Sequence, residues 1–415
     1  MQNMNLLSEV RGHFMTPLPR RLGVALSGGG DSMALLHILM QCFQGQDVEI
    51  LAATVDHGLR ADSAQEAQQV SEMAAKLGVD HEVLQWQGWQ GDGNLQDQAR
   101  QARYQLLEAW ASRNEIRVLV LGHTADDQAE TVLMRLARSA GVDGLSAIPV
   151  RRQLENVTLL RPLLAVTRAQ LRDYLTALDQ TWIEDPSNHD QRFERVRIRQ
   201  AMGVLEPLGL STVALSTVAE NMTTAREALE HYSFIAARDV AQIVSGAVVL
   251  DQSKLGDLPD EILHRVLTRA LQWVSGATYP LRRRAMGEAL EAVRSGGSLT
   301  LGGCRILGRA GRVWICRELN AVREEAVQPG QLWDNRWLLS GGDPSGIEVR
   351  SLGKAGLLLC PNWRQLGCPG VVLEATPALW NAQELVAAPL AAMGNKWTAK
   401  TAKSGEEFYA SLLSH

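Results

Sequence analysis

Short apolar runs alternate with longer segments of helical period between residues 21 and 178. This alternation restricts the fold more than any other feature, because strands separated by helices run parallel and each helix crosses over one face of the sheet. It therefore predicts an α/β fold built on a doubly wound parallel sheet. The predicted strands are residues 22–26, 50–55, 81–86, 118–121 and 157–160, and the predicted helices are residues 32–40, 63–77, 95–113, 126–138 and 168–178.

The rest of the chain is predicted to form two further domains. A length of 415 residues favours about three domains, and turn-rich segments at residues 184–188 and 206–207 place the end of the first domain at residue 205. The next stretch has a mainly helical pattern that closes in a hairpin, and the last carries short β-like runs. We expect domains at residues 1–205, 206–325 and 326–415.

Composition and charge narrow the class of protein. No segment approaches the roughly 18 apolar residues of a membrane-spanning helix, and no apolar leader is visible near the start, so we expect a cytoplasmic protein without a membrane segment. The five cysteines include no CxxC pair and are expected to be reduced. The net charge of -5 argues against coating nucleic acid through an overall positive field. Any binding of phosphates must come from local groups.

A glycine-rich loop connects the first predicted strand to the first predicted helix. Backbone N–H groups in such a loop, together with a helix N-terminus, can bind a pyrophosphate group. No lysine follows the glycines, so the GxxxxGK[ST] loop is excluded, and the spacing does not fit GxGxxG. A simple tight turn is the alternative. The loop consists of Ser27, Gly28, Gly29, Gly30, Asp31 and Ser32.

This loop resembles the SGGxDS loop of the ATP-pyrophosphatase (PP-loop) group, which cleaves ATP between its α and β phosphates. Further segments in order along the chain make the resemblance more specific, and together they resemble the tRNA(Ile)-lysidine synthetase family. The resemblance covers residues 21–205 and resumes at residues 298–318. The segments are Val55-Asp-His-Gly-Leu-Arg60, residues 94–104, Gly122-His-Thr-Ala-Asp-Asp-Gln-Ala-Glu-Thr131 and Asp185-Pro-Ser-Asn188.

Two segments depart from the family's pattern. The chain has Arg138-Ser-Ala-Gly141 where the family usually has Arg-Gly-Ser-Gly, and Arg195-Val-Arg197 where Arg-Asn is commoner. These departures affect the expected contacts with tRNA and leave the expected chemistry unchanged.

The resemblance implies a ligase that modifies tRNA(Ile) with a CAU anticodon. With ATP and Mg²⁺ it would adenylate C2 of the wobble cytidine, and L-lysine would then displace AMP to give lysidine, AMP and pyrophosphate. The sequence leaves open whether the chain forms a homodimer, and how a methionine tRNA with the same anticodon letters is rejected.

The residues around the loop fit the ATP-dependent step. Asp31 is expected to bind Mg²⁺ together with substrate phosphates, and capping of the helix is its alternative role. Arg100 and Arg103 are three residues apart on a predicted helix, so both could face phosphate oxygens, and a solvated face is the alternative. The resemblance gives a catalytic role to Arg103 and places His57 and Arg100 with the ATP-binding loop residues. His123 follows a predicted strand, where it could donate to the α-phosphate.

Two carboxylates fit recognition of the amino acid. Asp127 and Glu130 lie one turn apart on the helix after His123, and we expect both on an exposed edge, opposite an apolar stripe. They suit binding of the ammonium groups of lysine, and one could accept a proton from the amine, whose pKa is normally about 10.4. The alternative is that they are acids favoured by the helix macrodipole. The expected core-facing stripe is Ala129, Val132, Leu133 and Leu136.

A basic stripe is predicted for contact with tRNA. Arg192, Arg195 and Arg199 recur at helical spacing and could bind phosphates of the anticodon stem. The interleaved acids Asp190 and Glu194 leave a salt-bridged exposed helix as the alternative reading.

Other classes of protein fit less well. A tRNA thiolase activates a base in the same way but needs reactive sulfur, and Cys42 is the sole cysteine of the predicted first domain. A glutamine-dependent amidotransferase would need a glutaminase cysteine, whereas the chain begins Met1-Gln2. A non-catalytic tRNA-binding protein is the alternative from a different class, and retention of the acids and bases above argues against it.

Overall fold

The structure, a computed structural model, divides into two compact units, Met1–Arg226 and Glu227–His415. The three domains predicted from the sequence stay a prediction. The motif segment at residues 185–188, together with Arg60 and Asn94 of two other motif segments, lies outside the described residues. The structure describes residues 2–59, 62–87, 95–184, 191–192, 194–394 and 396–413.

A mostly parallel sheet forms the centre of the first unit. Its strand order among the described residues is β3-β2-β1-β4-β6-β5, and each neighbouring pair is parallel except the antiparallel pair β5 and β6. This confirms the predicted α/β fold. The order reverses between β1 and β4, which makes their carboxyl ends a topological switch point where ligands bind in such sheets. The strands are β1 (Arg21–Ala25), β2 (Glu49–Asp56), β3 (Asp80–Gln85), β4 (Val118–Leu121), β5 (Arg151–Gln153) and β6 (Thr158–Leu160).

Helices cover the sheet and connect its strands. Every strand and helix predicted between residues 21 and 178 is present, with ends that differ by a few residues at most, because the apolar periodicity there is strong. Helices α1 and α6 and the edge strand β5 were not predicted. The helices are α1 (Gln2–Gly12), α2 (Gly30–Phe43), α3 (Ser63–Lys76), α4 (Leu95–Arg113), α5 (Ala125–Leu136), α6 (Val142–Leu145), α7 (Arg168–Ala177), α8 (Glu194–Leu205) and α9 (Thr212–Val240), whose later part belongs to the second unit.

Strand β1 carries apolar side chains into cores on both faces of the sheet. Leu22 and Val24 pack in the cluster that includes α2, whereas Ala25 packs with Leu119 and Trp110 on the opposite face. Successive residues of a strand point to opposite faces, so the four buried residues that follow Arg21 in β1 form a continuous run without polar side chains. The ends of β1 and β4 are consequently held in fixed positions.

The second unit contains antiparallel sheets. The predicted hairpin is present as β9, β10 and β11, and two strands that were not predicted, β7 and β8, extend it to the order β7-β8-β11-β10-β9. Trp333 and Trp337 are buried in a core of this unit. The elements of this sheet and the helices beside it are β7 (Ala241–Val244), β8 (Ala247–Asp251), α10 (Gln252–Leu255), α11 (Asp260–Ser275), α12 (Arg283–Ser295), β9 (Ser298–Leu301), β10 (Cys304–Arg309) and β11 (Arg312–Arg317).

Two small sheets complete this unit, with orders β12-β13-β17 and β14-β15-β16. Their presence agrees with the predicted β structure near the end of the chain. The remaining elements are α13 (Leu319–Val322), β12 (Leu332–Trp333), β13 (Trp337–Gly341), β14 (Glu348–Ser351), α14 (Gly353–Leu359), α15 (Gly370–Glu374), β15 (Pro377–Asn381), β16 (Glu384–Ala387), β17 (Trp397–Thr401) and α16 (Gly405–Ala410).

Two expectations from composition can be compared with the structure. All five cysteines are free and buried, which confirms that they are not paired in disulfides. Within the described ranges no single helix is long and apolar enough to cross a membrane. Two consecutive helical segments, Glu194–Leu208 and Thr212–Val240, satisfy the length and hydropathy criteria only when taken together, and the chain bends sharply between them.

Candidate active site

The site lies at the carboxyl ends of the parallel strands of the first unit. The glycine loop follows β1, His57 follows β2, His123 follows β4, and Arg168 begins the helix after β6. Carboxyl ends of parallel strands meet at one edge of a sheet, so these four connections converge. The residues predicted from separate motifs are therefore gathered by the sheet itself.

The glycine loop is closed by hydrogen bonds around the Ser32 hydroxyl. The Ser27 backbone N–H donates to Ser32 Oγ at 3.2 Å, and this hydroxyl donates to the Gly29 carbonyl at 3.0 Å. Gly29 is the residue before α2, so no side chain caps the first N–H groups of this helix. Uncapped N–H groups at the start of a 14-residue helix, with the positive end of its dipole, suit an anionic phosphate.

The glycines of the site have different physical roles. Gly28 has a φ of +79°, and a Cβ there would lie 2.6 Å from Val70 Cγ2. A Cβ on Gly122 would lie 3.1 Å from the backbone oxygen of Asp31, so this glycine allows the connection after β4 to approach α2. At Gly29 a Cβ would meet Ser27 Oγ alone, at 3.6 Å. Gly28 and Gly122 are thus required by packing, and Gly29 leaves open space on the side where a phosphate would bind.

One arginine joins the three predicted site carboxylates. The guanidinium of Arg168 donates to Asp31 Oδ2 at 3.0 Å, to Glu130 Oε1 at 3.3 Å and to Asp127 Oδ1 at 3.4 Å. Its side chain is 19% exposed. Burial alone would lower the pKa of Arg168, but the charges of Asp127, Asp31 and Glu130 raise it above the ordinary value. The guanidinium therefore stays charged.

The start of α5 holds Asp127 in a capping box. Thr124 donates to Asp127 Oδ2 from its backbone N–H at 2.9 Å and from its hydroxyl at 3.0 Å. Burial raises the pKa of Asp127, but the charges of Arg168 and Arg195 and the Thr124 N–H outweigh burial and lower it below the ordinary value. Asp127 is therefore ionised, with one oxygen used for the cap and the other directed at arginines. Helix capping and contact with arginines coexist in this residue.

Glu130 is buried beside two arginines. Arg199 donates to Glu130 Oε1 at 2.9 Å, the same oxygen that Arg168 contacts. The other oxygen, Oε2, is buried and has no hydrogen-bond partner within the described part of the chain. A buried carboxylate oxygen without a partner is unfavourable unless a ligand or water satisfies it. Glu130 Oε2 is therefore a candidate acceptor for a substrate donor.

The predicted exposed edge of α5 is wrong. Asp127 is 8% exposed and Glu130 is 2% exposed, whereas Leu136, expected in the core, is 56% exposed. Ala129 and Val132 do pack in the core as predicted. The cause is tertiary: α8 lies against α5, and Leu215 of α9 also packs on α5, so the first turns of the helix are covered on several sides. Its last turn extends beyond that cover.

His123 is neutral at physiological pH. Burial lowers its pKa, the charge of Asp127 opposes this, and the charges of Arg161 and Arg103 lower it further, to about 3. Its Nδ1 is buried and lacks a partner among the residues that the structure describes. A neutral imidazole donates a hydrogen bond from one ring nitrogen and accepts one at the other. His123 can therefore donate to a ligand.

Arg103 and Arg100 have different surroundings. Arg103 is partly buried, burial lowers its pKa, and its charge contributes to lowering the pKa values of both His57 and His123. Arg100 is exposed, and its guanidinium lies over the Tyr104 ring at 5.5 Å. The structure thus places Arg103 with the two histidines and Arg100 on the outer side of the same helix turn.

The predicted basic stripe is turned toward the site. Arg195 lies 3.6 Å from Asp127 Oδ1, and Arg199 pairs with Glu130. Glu194 instead pairs with Arg138 in an exposed contact. Arg192 precedes α8 and is not part of that helix, so the expectation of a single helical stripe is wrong for this residue. Arg195 and Arg199 face the site because their partners on α5 are carboxylates. These partners are far away along the chain, so the sequence does not indicate the pairing.

Two arginines of the site were missed by sequence reasoning. Arg161 is buried, donates to the Pro149 carbonyl at 2.8 Å, and lowers the pKa of His123 through its charge. Arg168 is the first residue of α7, where the helix macrodipole disfavours a cation unless an acid lies near. A basic residue directly after the Thr167 cap was the signal that could have identified it.

Known proteins are similar to this chain over most of its length. Residues 4–205 match the PP-loop domain family. A tRNA(Ile)-lysidine synthase from Ruegeria pomeroyi is 53% identical over 411 residues, which cover 99% of this chain and 98% of that protein. Relatives of the same description are 34% identical over 76% of both chains in Wolbachia pipientis wMel and 32% identical over 80% of both chains in Wolbachia sp. subsp. Brugia malayi. The chain therefore belongs to the tRNA(Ile)-lysidine synthase family, and its residues 4–205 form a PP-loop domain.

Proposed function

We propose that this site adenylates C2 of the wobble cytidine in the CAU anticodon of tRNA(Ile) and then joins L-lysine to it. The chain is thus an ATP-using C–N ligase of the tRNA(Ile)-lysidine synthase type. The observation that carries the proposal is the contact of one guanidinium with Asp31, beside the phosphate loop, and with Asp127 and Glu130. A phosphate-binding loop and a buried pair of acids able to bind an amine are thereby parts of one site.

The first step requires binding of a triphosphate and support for charge on the α-phosphate. The N–H groups at the start of α2 and the space beside Gly29 suit the pyrophosphate. The cytosine carbonyl oxygen attacks the α-phosphorus and pyrophosphate leaves. Neutral His123 and charged Arg103 would donate to the α-phosphate oxygens as their charge grows. His57, the loop residues and Arg100 complete the proposed ATP contacts.

The second step requires an amine nucleophile. The amine of lysine attacks C2, AMP leaves, and the nitrogen loses a proton. Asp127 and Glu130 suit the ammonium groups of lysine, and Glu130 Oε2, which is buried without a partner in the described structure, is the acceptor atom that we assign to one of them. An ionised carboxylate there could also accept the proton that the attacking nitrogen releases.

Magnesium is proposed as a companion of ATP. No group of three or more His, Cys, Asp or Glu side chains suited to a metal occurs among the described residues. Mg²⁺ commonly uses one or two carboxylates, waters and substrate phosphates, so Asp31 beside the phosphate loop fits this mode of binding. When bound there, the ion would neutralise charge on the leaving pyrophosphate. Burial raises the pKa of Asp31 against the opposing charge of Arg168, and a cation would favour the ionised form further.

Binding of tRNA is proposed for the arginines of α8 and for the later domains. Arg192, Arg195 and Arg199 would contact phosphates near the anticodon. Residues 206–325 would dock the tRNA, and residues 326–415 would take part in its recognition. We further propose that the protein acts in the cytoplasm, and a homodimer remains a hypothesis.

Mass spectrometry of tRNA nucleosides tests the function. Purified protein, ATP, Mg²⁺ and lysine should convert the wobble cytidine of tRNA(Ile) to lysidine, and omission of lysine should leave the AMP adduct. The tRNA(Met) with the same anticodon letters should stay unmodified. A thiolated nucleoside, formed in a parallel reaction that contains sulfide instead of lysine, would favour the thiolase alternative, which is disfavoured because burial raises the pKa of the Cys42 thiol. Binding of tRNA without any product would favour a non-catalytic protein.

A further inference from the structure

Arg168 contacts three carboxylates with three different nitrogen atoms. Its Nε is directed at Asp31, its Nη1 at Glu130 and its Nη2 at Asp127. A guanidinium has donors in fixed directions within one plane, so contact with three acids also fixes their relative positions. A lysine ammonium at the same place would supply charge without this directionality.

The three carboxylates belong to different steps of the proposed reaction. Asp31 lies in the first turn of α2, next to the phosphate loop, and serves the ATP-dependent step. Asp127 and Glu130 lie on α5 and serve the lysine-dependent step. Arg168 is on a third helix, 137 residues from Asp31 along the chain. Its side chain therefore connects parts of the site that the sequence keeps far apart.

The backbone that carries Arg168 is itself fixed to α5. The Arg168 N–H donates to Asp126 Oδ2 at 2.7 Å, and the Ala125 N–H donates to the Val166 carbonyl at 2.9 Å. Thr167 caps α7 in a capping box with Gln170. The guanidinium thus extends from an anchored helix start. Asp126 thereby accepts a hydrogen bond from the first residue of α7.

Electrostatics makes the arrangement dependent on Arg168. Three enclosed carboxylates near one another would repel each other if no cations lay between them. Arg195 contacts Asp127 and Arg199 contacts Glu130, whereas Arg168 contacts all three acids. Glu130 is the most enclosed of the three, and its Oε1 takes the arginine contacts while Oε2 stays buried without a partner in the described chain. Arg168 and Arg199 together therefore leave the second glutamate oxygen available to a ligand.

We propose that Arg168 is a positioning residue that holds the ATP-side and lysine-side carboxylates in one geometry, so that a single side chain supports both half-reactions. This inference rests on the proposed function of the site. Arg168 acts through the carboxylates and is given no contact with substrate. Substitution of Arg168 should consequently impair adenylation and lysine transfer together. Substitution of a residue that contacts only one ligand would impair only one of these steps.

Variants of the full-length chain test the role. Arg168→Lys keeps the charge and removes the directed contacts, and Arg168→Gln removes both. Arg172→Gln is the matched control, since Arg172 lies one turn later on α7 and forms an exposed pair with Glu184. For each protein we would measure the rate of AMP–tRNA formation without lysine, the lysine KM and kcat on preformed AMP–tRNA, tRNA affinity by filter binding, and thermal unfolding.

We expect Arg168→Lys to fold and bind tRNA like the wild type. It should nevertheless slow adenylation and raise the lysine KM, each by about tenfold, the usual effect of losing one charge-assisted contact. Arg168→Gln should impair both steps more strongly, and Arg172→Gln neither. If Arg168→Gln does not fold, the positioning role is judged from the two rates of Arg168→Lys alone.

Two results would overturn the positioning role. Wild-type values of both steps in Arg168→Lys would mean that charge alone suffices. Loss of only one step in this variant would mean that Arg168 does not join the two halves. The proposed function is judged separately, because it fails if the wild-type chain makes no lysidine, whereas the positioning role is judged by the ratio of variant to wild type.

Discussion

Replacement of Glu130 by glutamine tests the assignment of the lysine site. The amide has nearly the same shape as the carboxylate, and its oxygen can keep the contacts with Arg199 and Arg168. Its NH₂ group would then take the place of Oε2, the atom assigned to an ammonium group of lysine. Glu130→Gln thus removes the negative charge and puts a donor where the ligand needs an acceptor.

The expected effect follows from the loss of one charge-assisted hydrogen bond. Such a contact contributes about 1.5–3 kcal/mol, which corresponds to a rise in the lysine KM of roughly 10- to 150-fold. In the proposed reaction lysine attacks only after adenylation, so the KM for ATP should change little and AMP–tRNA should accumulate. Lysine titrations on preformed AMP–tRNA and ATP titrations of adenylation measure the two constants separately.

A matched control variant shows whether the loss of any glutamate charge changes the two KM values. Glu82 lies on β3 and pairs with Arg113 at 2.8 Å in an exposed salt bridge, which contributes little to stability. Glu82→Gln should therefore leave both KM values unchanged. An unchanged lysine KM in Glu130→Gln, with weakened use of ATP, would refute the reasoning and assign Glu130 to the ATP and metal side.

Three further predictions concern other residues of the site. Asp31→Ala should abolish AMP–tRNA formation and leave tRNA filter binding nearly intact, and near-normal adenylation would exclude a role in this step. Gly28→Ala should lower the free energy of unfolding by about 2–4 kcal/mol, because the alanine Cβ would be strained at a positive φ and would lie too close to Val70. Gly29→Ala should leave thermal unfolding unchanged and weaken ATP binding. Identical unfolding curves for the two variants would contradict this prediction. The folded-state pKa of His123, about 3, lies below its unfolded value of 6.5, so its contribution to stability is present above pH 6.5 and lost as the pH falls. Between pH 7 and 5 wild type should lose about 2 kcal/mol relative to His123→Gln in urea unfolding, and a constant difference would show that this imidazole is not neutral when folded.

The sequence alone determined the parallel sheet and the position of the phosphate loop. Runs that are buried on both faces, such as residues 22–25 of β1, can be identified in the sequence because they are nearly continuous stretches of apolar residues. The glycine loop is readable because its residues are adjacent in the chain. The strands β7 and β8 of the second unit were not predicted, although the Ser245-Gly246 pair between two apolar runs is a local hairpin signal.

Tertiary structure alone decided how the charged residues of the site meet. Periodicity gave α5 a buried and an exposed face, but α8 and α9 cover its first turns, so Asp127 and Glu130 are buried rather than exposed. Which face of a helix is exposed depends on elements that pack from elsewhere in the chain. The contact of Arg168 with Asp31 spans 137 residues, and ion pairs at such separation leave no local pattern for sequence reasoning to detect.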